Sequence, residues 1–106
     1  MSYYIPERVR KLFEERESKA IELIKKSGIK YDEIGIFGSY SRGDYKANSD
    51  IDILVITEEL PEPTIRGLLY GNLDMIGVQL VYSKRSVFNE STVFSKEVQR
   101  DYKRIL

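Results

Sequence analysis

The sequence predicts an α/β (α+β) fold in which a small mixed β-sheet of at least three strands carries helices packed mainly on one face. Three observations carry that expectation. A charged segment with apolar residues every three or four positions opens the chain, a short apolar stretch follows and ends at Gly38-Ser39, and a near-continuous apolar run from Ile51 to Thr57 lies beyond a polar loop. The first has the period of a helix lying on a core. The last has the length and unbroken apolarity of a central strand.

In chain order, Val9, Leu12, Phe13, Ala20, Leu23 and Ile24 define one apolar face of a helix over about residues 6–27. Pro6 is tolerated in a first turn, Lys25 and Lys26 suit the negative C-terminal end, and Gly28 is placed as the left-handed stop. Ile34, Ile36 and Phe37 form a strand over 33–38, followed by a short helix over 39–45 and a loop at Asn48 and Ser49. Residues 51–57, IDILVIT, make the central strand. Pro61 and Pro63 then interrupt the chain. Thr64 to Tyr70 reads as a short helix capped near Gly71, with a hairpin strand as the competing reading. Residues 75–82, MIGVQLVY, form a third strand, and Val87, Phe88, Val93, Phe94 and Val98 support a short helix and then a longer C-terminal one. With 106 residues and no repeat or linker, a single domain over 1–106 is expected.

Composition narrows the chemistry. Lysine plus arginine equals aspartate plus glutamate at 17 each, so bulk charge gives no support to a nucleic-acid partner or an anionic lipid surface. Cysteine and histidine are both absent, which excludes disulfides, thiol chemistry and the usual neutral-pH base, and leaves catalysis to carboxylates, lysine, tyrosine or a metal. The charges from Glu7 to Glu17 leave no signal-peptide apolar region, and no run approaches the roughly 20 apolar residues that span a bilayer. A cytoplasmic protein with no membrane partner is expected. The eight tyrosines, Tyr3 among them, are scattered without a basic-aromatic rhythm and read as packing groups.

The polar segment between the first two strands carries the functional signal. At Gly38-Ser39 a strand passes into a helix, which points backbone N–H groups and a hydroxyl at open space, and Arg42 lies one turn further on. Such a junction suits phosphate. Asp50 and Asp52 are two apart at the start of a strand, so both face one way, with Cα atoms about 6.5 Å apart. Two acids there repel one another and lose solvation unless a cation sits between them. Mg²⁺, or Mn²⁺, answers this, because it takes one or two carboxylates and completes its shell with water and phosphate oxygens.

The segment GSYSRGDYKANSDIDILV resembles the signature of the polymerase-β-like nucleotidyltransferase superfamily, a Gly-Ser followed about ten residues later by Asp-x-Asp. The stretch VQLVYSKRSVFNESTVFSKEVQRDYKRIL is similar to the third strand and closing helix of its minimal nucleotidyltransferases, so the resemblance covers about residues 30–106 as the catalytic-type core. The resemblance implies a nucleotidyltransferase fold and an enzyme that transfers a nucleoside monophosphate, from ATP or another NTP, to a hydroxyl acceptor. It implies that Gly38 and Ser39, with Arg42, hold the nucleotide phosphates and that Asp50 and Asp52 are the catalytic metal ligands. It also implies a HEPN-type protein partner, with this chain as the antitoxin of a toxin–antitoxin pair.

One position departs from the pattern. The family places a third carboxylate on the strand that here reads Val78-Gln79-Leu80-Val81, and the aligned residue is Gln79. A neutral amide is neither a base nor a good metal ligand. Asp74 is five residues away, which puts it on the opposite strand face, and it reads as a turn residue. Two functions therefore stand: an active transferase, or a catalytically weak nucleotide-binding module that neutralises its partner by contact.

Overall fold

In the computed structural model, which describes residues 4–90 and 93–106, the apolar stripe of the opening segment becomes helix α1, Glu7–Ser27. Pro6 sits just ahead of it as the N-cap residue, and the Gly28 N–H donates to the Lys25 carbonyl at 3.2 Å to close the other end. The remaining elements are β1 (Glu33–Phe37), α2 (Gly38–Arg42), β2 (Ile51–Ile56), α3 (Pro63–Asp74), β3 (Val78–Ser83), α4 (Arg85–Asn89), α5 (Val93–Asp101) and β4 (Lys103–Arg104). The sheet runs in the order β3-β2-β1-β4. Strand β2 is antiparallel to β1 and parallel to β3, and the parallel pair is joined by the crossover that such pairing requires, here α3.

Strand alternation divides the core. Ile34, Ile36, Ile51, Ile53, Val55 and Val78 project to one face, where they pack with Phe13 and Ile24 of α1 and with Leu69 and Leu73 of α3. Leu54 and Ile56 project to the other face and meet Phe37, Val81, Phe88, Val98 and Tyr102. The larger core thus lies under α1 and α3, while α4 and α5 close a smaller one. Covered on both sides, β2 buries Ile51, Ile53, Leu54, Val55 and Ile56 completely, which is why its sequence is apolar almost without a break.

The structure differs from the sequence expectation at element ends. Helix α2 stops at Arg42 instead of residue 45, because Gly43 follows as its cap. The segment expected as a helix over 64–70 is a helix and no hairpin, but it is longer. Pro63 supplies its first position and it continues through Gly71 to Asp74. Asp74 is therefore the end of a helix and not a turn residue, and β3 starts at Val78 instead of residue 75. Strand β4 carries no apolar pattern and was not expected; the N–H groups of Ile105 and Leu106 both donate to the Ile34 carbonyl, at 2.8 and 3.0 Å. Tyr3 and the side chains of Val93 and Phe94 lie outside the described residues. Among the described residues, no helix is long and apolar enough to cross a membrane.

The C-terminal segment is fastened to β1 by Glu33. Its Oε2 accepts from the Tyr102 hydroxyl at 2.6 Å and its Oε1 from Arg85 Nη2 at 2.8 Å. The Tyr102 ring lies against Gly35, where a Cβ would overlap it. The Tyr102 hydrogen bond, helped by Arg85, holds the Glu33 carboxyl below its ordinary value of 4.5. A depressed carboxyl contributes stability above the unfolded-state value and loses it as pH falls through the folded one. Glu33→Gln is therefore expected to cost about 1.5 kcal/mol at pH 7. The deficit should shrink as pH falls below 4.5, which denaturant titrations at pH 7 and pH 3 will read.

Candidate active site

The site forms where the end of β1 meets the beginning of β2. The antiparallel register sets Phe37 opposite Asp52, so Gly38, the first residue of α2, arrives beside the Asp52 side chain. Gly38 has φ +76°, and a Cβ built on it would overlap Asp52 Oδ2. Both features require glycine, because the left-handed region strains L side chains and the carboxylate occupies the space one would need. The first turn of α2 carries no side-chain cap, and Ser39 is half-buried at its second position.

Asp50 is exposed at the mouth of β2, while Asp52 is half-buried. Burial, and then the negative charge of Asp50, pushes the Asp52 carboxyl above its ordinary value, against an opposing pull from Arg42. In register with Asp52 on its other side stands Gln79 of β3, whose Nε2 donates to Asp50 Oδ2 at 3.1 Å. The register sets Gln79 beside Asp52 and the hydrogen bond ties it to Asp50, so Asp50 and Asp52 share a face as their spacing implied, with Gln79, Gly38 and Ser39 alongside. Among the described residues, no group of three or more histidine, cysteine or acidic side chains is placed to hold a metal. The anionic donors are the two aspartates. They fit a divalent cation: the pair is electrostatically unfavourable without one, and Asp50 is exposed beside the half-buried Asp52.

Arg42 reaches the same edge with its charge already engaged. Its Nη1 donates to Asp101 Oδ2 at 2.8 Å and its Nε to Asp44 Oδ2 at 3.2 Å. Asp101 is held below the usual carboxylate range; burial pushes it up, and the hydrogen bonds from Arg42 and Arg100 outweigh that. The Ser41 hydroxyl donates to the Asp101 backbone carbonyl, so α2 is stapled to the end of α5. Lys84 and Arg85, just past β3, divide: Arg85 is tied to Glu33 and Lys84 is exposed. Two contributors were missed by the sequence. Asp101 lies 59 positions from Arg42, and Arg16 of α1 comes within 3.5 Å of where a Gly77 Cβ would stand, with Asp50 Oδ1 3.8 Å from the same point. No local pattern marks either.

Comparison with known proteins identifies the family and the fold. A family model described as a nucleotidyltransferase domain matches residues 7–105. A curated relative named protein adenylyltransferase MntA, from Thermococcus cleftensis, is 55% identical over 40 residues, 38% of each chain. A putative protein adenylyltransferase from Methanocaldococcus jannaschii is 50% identical over 32 residues, 30% of this chain and 32% of its own. The matched segments thus span about a third of these relatives. Among solved structures, a crystal structure of a toxin–antitoxin with AMP-PNP contains a chain 33% identical, with TM-score 0.63, matched over 83% of this chain and 70% of that one. The complex of tri-AMPylated Shewanella oneidensis HEPN toxin with MNT antitoxin contains another, 29% identical, with TM-score 0.57 over 86% and 69%.

Proposed function

Because the chain belongs to the nucleotidyltransferase domain family, we propose that it transfers AMP from ATP to a hydroxyl group of a HEPN-type protein partner and so acts as the antitoxin of that pair. The observation that carries this reading is the meeting of Gly38, at the first turn of α2, with Asp52, next but one to Asp50. The names of the relatives, protein adenylyltransferases, favour AMP as the transferred group, and the tri-AMPylated HEPN toxin beside an MNT antitoxin favours a HEPN protein as acceptor. In this reading the chain works as a single domain in the cytoplasm.

Each residue has a role. The first turn of α2, Gly38 and Ser39, holds the triphosphate, and Arg42 joins it by exchanging Asp44, its more exposed partner, for a phosphate oxygen. Asp50 and Asp52 hold Mg²⁺ or Mn²⁺. A divalent cation bound there supplies Lewis-acid neutralisation of the phosphate oxygens. The acceptor oxygen forms a bond to the α-phosphorus, the bond from that phosphorus to the bridging oxygen breaks, and pyrophosphate leaves with the electron pair. The hydroxyl proton passes to solvent, because Gln79 is no base and the chain has no histidine.

The neutral Gln79 favours a second reading, a nucleotide-binding module that restrains its partner by contact with little turnover. One experiment separates the two. The protein is incubated with Mg²⁺ and ATP labelled at the α-phosphate, with and without the HEPN-type partner of the same organism. Label on the partner is the expected result. If no label moves and the partner's toxicity is still blocked, the contact reading replaces the enzymatic one.

A further inference from the structure

We infer that Gln79 is a positioning residue that orients Asp50 and limits the site to a single divalent cation. The inference rests on the reading that Asp50 and Asp52 hold the cation, and adds how many they hold and what fixes their geometry.

Gln79 stands directly opposite Asp52 in the β2–β3 ladder, so the pleat puts both side chains on the same face, with the strands about 4.8 Å apart. Its side chain is exposed, with solvent available to solvate the amide, yet Nε2 donates to Asp50 Oδ2 at 3.1 Å. The amide orientation follows from chemistry, because an ionised carboxylate only accepts. The nitrogen that faces Asp50 has no lone pair to offer a metal. What Gln79 supplies is a fixed direction for an otherwise exposed carboxylate, held through Oδ2. Partners of this kind, bound to a ligand and not to the metal, set the orientation on which affinity depends.

Charge sets the number. Asp50 and Asp52 together carry two negative charges, which one divalent cation neutralises. With no nucleotide bound, a second cation at the same opening would stand in excess, with no further acidic ligand grouped there among the described residues. In register with Asp52, where a carboxylate would add a third negative charge, Gln79 puts a neutral donor.

The test is titration of Mn²⁺ into the full chain, followed by electron paramagnetic resonance, on the wild type, Gln79→Met, Gln79→Glu and Asp52→Asn. The wild type is expected to bind one Mn²⁺ with no spin-coupled pair. Gln79→Met, close in size and lacking the amide, should bind one about tenfold more weakly at an unchanged Tm. Gln79→Glu should bind two and show the coupled spectrum of ions about 4 Å apart. A coupled pair in the wild type, unchanged affinity in Gln79→Met, or a single ion in Gln79→Glu overturns the inference. If Asp52→Asn binds Mn²⁺ as the wild type does, the carboxylate pair is not the cation site, and the inference falls with it.

Discussion

Asp52→Asn is expected to lower AMP transfer at least about 10³-fold while raising the Tm of the metal-free protein. In the proposed function the kinetic loss follows from the Lewis-acid charge that Asp52 would help to hold against the phosphate; several kcal/mol of transition-state stabilisation, about 4, corresponds to about 10³ in rate. The gain in stability has the opposite origin. Burial first, and repulsion from Asp50 second, raise the Asp52 carboxyl above its ordinary 3.8 in the folded chain. A carboxyl raised by folding favours the native state only while protonated. Its contribution is fully present below the unfolded value and is lost as pH rises through the folded one. Metal-free wild type should therefore lose stability relative to Asp52→Asn as pH climbs from 3.8, and the neutral variant should melt higher at pH 7. Saturating Mg²⁺ should narrow or reverse that gap, since only the wild type gains binding energy. Thermal melts at pH 3 and pH 7, with and without Mg²⁺, read the stability, and α-labelled ATP reads the transfer. A variant less stable than wild type at both pH values would make Asp52 a structural group; undiminished transfer would remove it from the site.

These carboxylates were legible in the sequence because they obey a rule of local geometry. Asp50 and Asp52 are two residues apart at the start of a strand whose identity was plain from its apolar run, whereas Gln79 was picked out by the family resemblance, and the strand-face argument made for Asp74 does not apply because Asp74 ends helix α3. Helix α1 was legible for the same kind of reason, twenty-one residues with a continuous apolar stripe. What failed were features set by distant partners or by local stops. Strand β4 is two exposed basic residues that pair because β1 offers an open edge, and nothing in Lys103-Arg104 announces that. Helix α3 runs past Gly71 because Leu69 and Leu73 are buried on either side of it, which outweighs a glycine's poor helix propensity. The engagement of Arg42 by Asp101 depends on α5 folding back across the sheet, a contact between residues 59 positions apart. Gly38 lies between these cases: its place at the strand–helix junction was readable, whereas its contact with Asp52 exists only in three dimensions.

That contact yields the second large effect. Gly38→Ala is expected to reduce AMP transfer about 10²-fold, and Gly28→Ala is the control that shows why. The two glycines share nearly the same backbone, φ +76° and +72°, so a methyl group imposes a similar strain at each, about 1–2 kcal/mol. They differ in what the methyl meets. At Gly28, the cap of α1, no heavy atom lies within 4 Å, whereas at Gly38 the new Cβ would overlap Asp52 Oδ2. Overpacking should add about 1–3 kcal/mol at Gly38 alone. More consequentially, the carboxylate or the α2 turn must move, and a displacement of about 1 Å between the proposed phosphate-holding turn and the proposed metal ligand is enough for a hundredfold loss. Both variants should thus lose stability in denaturant titrations, Gly38→Ala the more. Transfer assayed well below either Tm should fall only in Gly38→Ala, with Gly28→Ala within about twofold of wild type, because the strain is common to both and the displaced carboxylate is not. Equal transfer rates in the two variants would mean that the turn and Asp52 work independently, and would break the link between phosphate and metal on which the proposed chemistry depends.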